Sequence, residues 1–432
     1  MAKASACLTE ATPAVGRAIT ERYRCPQAFL EALTLAASSA PKIHELDRGH
    51  PGGERRFVPF DPTEAIDELR YERYGNVSAL SPGMLLSGLY YAVRPLLPTT
   101  LRRRIQQFYL RDWKTIAFPR WPLDTTVEQL LDTALFALME ATGRETIPFI
   151  WFWPDGADSA AIVTHDIETA TGRDFCDTVM DIDESFGIHS SFQVVPEGRY
   201  AVPPAFLETI RQRGHDVNIQ DLNHDGRLFS SRARFETRVR RINQYGREFG
   251  ARGFRSAVLY RNPDWFDELD FEYDMSLPNI GHLDAQRGGC CTVFPYFIGD
   301  LLEIPVTATQ DYSLFHILHD YRLDLWRTQA SEVSARNGLL SFIVHPDYLL
   351  ESRARTTYCG LLEFLTRCRS ECGTWMTTAN ELNTWWRLRS RMHLVEQEGT
   401  WRIEGPGSER AGVAFAAIKG RRISYFRGNK RP

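Results

Sequence analysis

The chain has 432 residues, 43% of them hydrophobic and 25% charged, with a formal net charge of −4. That composition excludes an intrinsically disordered chain, a collagen-like repeat and a disulfide-stapled miniprotein, and it gives no bulk electrostatic reason to bind nucleic acid. The length exceeds one ordinary domain, so a main unit with appendages is expected. The 8 Cys form no C-x-x-C pair, which points to free thiols rather than a structural zinc or a disulfide framework.

The N-terminus has no apolar core of signal-peptide length, so the expected placement is cytoplasmic, with the inner face of the membrane as the alternative. Residues 1–145 read as a mainly helical N-terminal region, broken by Pro95, Pro98, Pro119 and Pro122. Within it, Met84 to Val93 (MLLSGLYYAV) is apolar but too short to span a bilayer, and the basic cluster Arg102, Arg103, Arg104 follows. Residues 84–104 therefore suit either peripheral membrane contact or a buried helix. Farther on, Thr125 to Glu128 has the spacing of a capping box. Val127, Leu130, Leu131, Ala134, Leu135 and Leu138 then share one face, and Gly143 offers a stop.

From residue 147 the pattern changes. The runs IPFIWFW (147–153), AAIVTHD (160–166), SSFQVVP (190–196), HDVNIQ (215–220), GFRSAV (253–258) and LLSFIVHP (339–346) are strand-like. Phe175 to Phe186, Pro204 to Arg213 and Ser231 to Phe249 read as helices between them. Strand–helix alternation on this scale predicts a parallel α/β sheet, a (β/α) barrel over 146–390, with chemistry at the C-terminal ends of its strands. After Trp386 the sequence alternates apolar and polar residues around Gly-Pro-Gly, which predicts a small antiparallel β appendage over 391–432.

Polar residues mark those strand ends. Asp166 and Glu168 follow an apolar run two residues apart, so on a continuing strand both project into one mouth; the same acids would serve equally as the first turn of a helix. Gln220 and His224 are four apart, which a helical turn would bring to one centre. Arg255 ends another run, and His345 ends Phe342-Ile343-Val344 just before Pro346.

The ordered set, an acid pair, a His-bearing turn, an Arg and a His, resembles the polysaccharide deacetylase family, the NodB-like carbohydrate esterases of family 4. Thr164-His165-Asp166-Ile167-Glu168 is similar to its first motif, Gln220 to His224 to its His-x-x-x-His motif, Phe254-Arg255-Ser256 to its Arg motif, and Ile343-Val344-His345 to Leu-x-His. Gly288 to Pro295 and Leu301-Leu302-Glu303-Ile304-Pro305 are similar to a branch associated with bacterial surface-polysaccharide clusters. The resemblance covers roughly 147 to 390. It implies a distorted (β/α) barrel and a metal-dependent hydrolase that removes N-acetyl groups from a sugar of a surface polysaccharide or its precursor. By the same resemblance Asp166 is the general base, Arg255 orients it, and His345 is the general acid. Glu168, His224 and Gln220 stand at the positions of ligands to a divalent ion: zinc, with cobalt or nickel as alternatives.

Gln220 departs from the pattern, because the family has a His there and an amide oxygen is a weaker ligand than imidazole. A weakened site, a ligand set shifted to Asp221 or Asp225, or loss of the metal would each follow. A catalytically silent or metal-free barrel that binds carbohydrate is therefore the rival expectation.

Overall fold

The computed structural model describes residues 14–26, 29, 62–74 and 99–428 of the chain. Its strands, in chain order, are β1 (Thr146–Ile150), β2 (Ser159–Ile167), β3 (Ser191–Val194), β4 (Asp216–Gln220), β5 (Gly253–Arg255), β6 (Tyr273–Asp274) and β7 (Tyr296–Ile298). They continue with β8 (Leu301–Glu303), β9 (Leu339–Val344), β10 (Thr374–Met376), β11 (His393–Gln397), β12 (Thr400–Glu404), β13 (Val413–Lys419) and β14 (Arg422–Arg427). Two compact units divide the chain otherwise than the three segments expected from sequence: one takes 69–126 and 153–387, the other 1–68, 127–152 and 388–432.

The first unit is built on a curled sheet in the order β10-β2-β3-β4-β5-β6-β8-β7, with β9 also paired to β2. All its ladders are parallel except β7–β8. Strand β2 is buried along its whole length, as its near-continuous apolar run requires of a strand covered on both faces. Helices return the chain between strands. Ala170–Ser185 starts at Thr169, whose hydroxyl accepts from Gly172 N at 3.1 Å, and it buries Cys176, Val179, Met180 and Asp183 at helical spacing. Arg232–Phe249 is capped by Ser231, ends at Gly250 in the left-handed region and packs Phe235, Val239 and Ile242 against Ile219 and Phe254. Between β8 and β9 irregular backbone completes the curl: Ala308 N donates to Ser341 O at 3.1 Å, and the Thr307 hydroxyl donates to Leu339 O at 2.7 Å. The result is a distorted (β/α) barrel, as expected.

In the second unit β1, β13 and β14 form an antiparallel sheet, and β11 pairs with β12 as a hairpin. This corrects the reading of IPFIWFW as a barrel strand. Residues 146–150 instead pair with β13, from Thr146 opposite Ala417 to Ile150 opposite Val413. Pro148 is the local reason, since a residue without an N–H is tolerated on an edge strand, and β1 is the edge of its sheet. Phe149 packs there against Tyr23, Phe152 and Tyr425, with ring centroids 5.5–5.6 Å away.

The helix predicted from Thr125 spans Thr126–Ala141, and Asp124 Oδ1 accepts from Thr126 N at 2.8 Å at its start. Of the segment 84–104, residues 84–98 lie outside the described residues, and Thr99–Leu110 is a helix. Cys25, Cys176, Cys290, Cys291, Cys359, Cys368 and Cys372 are all free thiols. Among the described residues no helix is long and apolar enough to cross a membrane.

Candidate functional site

Because the barrel strands are parallel, the C-terminal ends of β2, β4, β5 and β9 open on the same side, and the residues singled out from sequence lie at those ends. Register fixes two of the neighbours: Gln220 pairs with Arg255 across β4 and β5, and His165 pairs with Val344 across β2 and β9. Asp166 is 4% and Arg255 0% exposed. The Arg255 guanidinium donates through one nitrogen to Asp166 Oδ1 at 2.6 Å and to the Thr164 hydroxyl at 2.7 Å, and its Nε donates to Met275 O at 3.0 Å. These fixed donors orient the carboxylate. Its other oxygen, Oδ2, accepts from Gln220 Nε2 at 3.0 Å. Thus Gln220 turns its NH2 toward the acid, while its Oε1 is buried with no hydrogen-bond partner.

The turn after β4 carries His224 into the site, though not by the helical turn that its spacing suggested. Asp221 and His224 both adopt left-handed backbone, at φ 52° and 54°, and no helix forms there. Arg199 secures the turn by donating to His224 O. His224 Nε2 then lies 2.8 Å from Glu168 Oε1, yet it is buried without a hydrogen bond of acceptable geometry. The alternative ligands fare differently: Asp225 is held by Arg238 through both oxygens at 2.7 Å, whereas Asp221 keeps one buried, unpartnered oxygen.

His345 approaches Glu168 from the opposite flank, Nε2 to Oε1 at 3.5 Å. Its ring Nδ1 faces Asp311 Oδ1 at 2.6 Å, its backbone N–H donates to Asp311 Oδ2 at 2.7 Å, and Tyr348 lies against the ring with centroids 4.8 Å apart. Burial works against a charged His345, but Asp311 and Glu168 outweigh it and hold its pKa well above the ordinary range. Burial likewise opposes ionisation of Glu168, and there His224 and His345 prevail and hold its carboxyl well below the usual value. Both shifts favour the charged forms, a Glu168 carboxylate facing a protonated His345.

All six residues marked in the sequence, Asp166, Glu168, Gln220, His224, Arg255 and His345, thus sit at these strand ends in two clusters, Asp166 hydrogen-bonded to Arg255 and Gln220, and Glu168 within 3.5 Å of both histidines. Sequence reasoning missed Asp311, which opens a short helical turn continuing through Leu318 with neither a strand end nor a motif to mark it, and Tyr348, which reads as an ordinary aromatic. Among the described residues no three His, Cys, Asp or Glu side chains gather closely enough to hold an ion by themselves. The donor set here is one carboxylate, one imidazole and one amide oxygen; Gln220 Oε1 is buried without a hydrogen-bond partner, as expected of a ligand facing an ion, while His224 Nε2 lies 2.8 Å from Glu168 Oε1.

No family model and no curated protein sequence matches this chain. Solved structures are similar to part of it. A protein provisionally named a polysaccharide deacetylase, from Mycobacterium smegmatis, is 18% identical over 58% of this chain and 97% of its own, with a TM-score of 0.45. PuuE allantoinase is 12% identical over 54% of this chain and 92% of its own, with a TM-score of 0.43. A mutant of the peptidoglycan deacetylase PdaC of Bacillus subtilis is 11% identical over 55% of this chain and 95% of its own, with a TM-score of 0.34.

Proposed function

We propose that the protein is a metal-dependent carbohydrate N-deacetylase that removes N-acetyl groups from a sugar of a surface polysaccharide or its precursor. The observation that carries this reading is the pairing, within one barrel mouth, of a buried acid fixed by a guanidinium at 2.6 Å and an imidazole fixed by Asp311 at 2.6 Å, with Glu168 and His224 beside them. Amide hydrolysis needs a base for the attacking water and an acid for the leaving amine, and these two pairs supply them.

Glu168 and His224 would hold a divalent ion such as zinc, with Gln220 Oε1 as a third and weaker donor. Bound there, the ion would polarise the amide carbonyl and acidify a water. The protein's own groups do the rest. Asp166 takes the proton of the attacking water, and Arg255 keeps the carboxylate aimed while it does so. Asp311 fixes the His345 ring by holding Nδ1, and Nε2–H, 3.5 Å from Glu168 Oε1, supplies the proton for the leaving nitrogen. Burial of these groups keeps bulk water from competing for either proton.

Zinc content of the purified protein, beside that of His224→Ala, and acetate release from N-acetylglucosamine oligomers, beside that of Asp166→Asn, test the reading. Near one equivalent of zinc in the wild type, lost in His224→Ala, with acetate release lost in Asp166→Asn, is the expected result. Failure to release acetate from any N-acetylated sugar by a folded, zinc-loaded protein would remove it. The hydrogen bond from Gln220 to Asp166 favours one alternative, a silent or metal-free barrel that binds carbohydrate, because it engages the base with a donor. On that reading the wild type binds sugar and releases no acetate.

A further inference from the structure

The helix Thr99–Leu110 turns large apolar side chains toward water while two of its amides are packed inward. Its packed side carries two amides beside the buried Leu110: Gln106 Oε1 accepts from the Tyr312 hydroxyl, and Gln107 Nε2 donates to His316 O at 2.8 Å and lies 2.8 Å from His319 Nε2. Its outer side is apolar. Ile105, Phe108 and Tyr109, which share a face at i, i+3 and i+4, are 38%, 65% and 52% exposed, and Phe118 just beyond is 43% exposed. A solvent-facing helix shows the reverse arrangement, and a contiguous exposed aromatic face marks a surface that meets a partner.

Charge decides which partner. From Thr99 to Leu123 the sequence holds six basic residues, Arg102, Arg103, Arg104, Arg111, Lys114 and Arg120, against one acid, Asp112. Asp112 is bound to Arg287 at 2.7 Å, and Arg120 to Glu332 at 3.3 Å. Arg104, Arg111 and Lys114 are exposed and form no ion pair among the described residues. Arg111 lies over the Phe108 ring at 4.0 Å, so cation and aromatic present themselves together. An apolar aromatic face rimmed by unpaired cations is complementary to one kind of surface, acyl chains beneath anionic headgroups. We propose that the face formed by Arg104, Ile105, Phe108, Tyr109, Arg111 and Lys114 docks the protein on an anionic lipid bilayer. The rings enter the headgroup boundary and the cations meet lipid phosphates.

Flotation of the full chain with vesicles tests this, using phosphatidylcholine alone and phosphatidylcholine with one third phosphatidylglycerol. The wild type is expected to float with the anionic vesicles, less so as salt rises, and not with phosphatidylcholine alone. Arg104→Glu, Arg111→Glu and Lys114→Glu should each weaken partitioning at least about fivefold. Phe108→Ser with Tyr109→Ser should weaken it about tenfold or more at equal charge. Circular dichroism and thermal melts of each variant keep loss of binding apart from loss of fold. A wild type that fails to float with anionic vesicles overturns the proposal, as do folded variants that float as well as the wild type. So does a wild type that self-associates in solution through Phe108 without binding vesicles, since the occupant is then a second copy.

Discussion

Replacing Arg255 by Met tests the centre of the site without requiring any turnover. The change removes the cation from an enclosed pair, with Asp166 4% and Arg255 0% exposed and 2.6 Å between charged atoms. It leaves a buried carboxylate whose one other donor among the described residues is Gln220 Nε2 at 3.0 Å, and it strips Met275 O of the Arg255 Nε donor. Breaking a buried pair from one side costs about 3–5 kcal/mol, and Asp166→Leu, which strands the guanidinium, should cost a similar amount. The two changes together strand neither charge. The double variant should therefore fall short of the sum of the singles by at least about 2 kcal/mol. Urea unfolding followed by tryptophan fluorescence and circular dichroism gives each term of the cycle. Additivity within about 0.5 kcal/mol would show that the two groups do not hold each other, and Arg255 would then lose its role of fixing the base.

Three further predictions concern the groups around that pair. Asp311→Asn removes a charge-assisted bond worth about 1.5–3 kcal/mol, so kcat/KM for deacetylation should fall about 10- to 150-fold. The same change lets burial push the His345 pKa down with only Glu168 opposing it, so the alkaline limb of the pH profile should move to lower pH; a limb that stays in place counts against His345 as the acid. Gln220→His should tighten zinc at least about tenfold in competition with a chromophoric chelator, the scale on which changes around a metal act; an unchanged affinity places position 220 outside the coordination sphere. Asp284 offers a test of sign away from the site. Burial pushes its carboxyl up to about 6 from an ordinary 3.8, against the pull of Arg261 and of Gln310, which donates to it at 2.7 Å. The fold thus favours the protonated form, which costs nothing below about pH 4, and stability drops as pH rises through 6 by at most about 3 kcal/mol. Asp284→Asn should unfold at higher urea than the wild type at pH 8 and not at pH 4, and an equal gain at both would exclude a titration origin.

The parts of this fold that a single sequence discloses are those whose environment is written locally. Strands β2 and β9 are buried on both faces, so they are mostly apolar, and the charged Asp166 near the end of β2 and His345 just past β9 stand out. The sequence also marks Gln220 as a departure, but not its consequence. Only the structure shows the amide donating to Asp166 Oδ2 while its oxygen is left buried and unpartnered, and that one orientation decides whether position 220 restrains the base or contributes a ligand. Asp311 was illegible for a related reason. What sets it apart is a contact with His345, thirty-four residues later, made from the first residue of a short helical turn that no periodicity marks. The short strands β6 and β8 were missed because Asp274 and Glu303, opposite each other in the ladder, place acids where periodicity expects apolar residues. β1 was misplaced because an apolar run looks the same in either sheet; Pro148 alone said that it lay at an edge. In each case the missing information is pairwise and non-local, so substitutions at one partner, judged alone, will mislead at this site. Gln220→His read beside Asp166→Asn, and Asp311→Asn read beside His345→Gln, are the comparisons that carry mechanistic content.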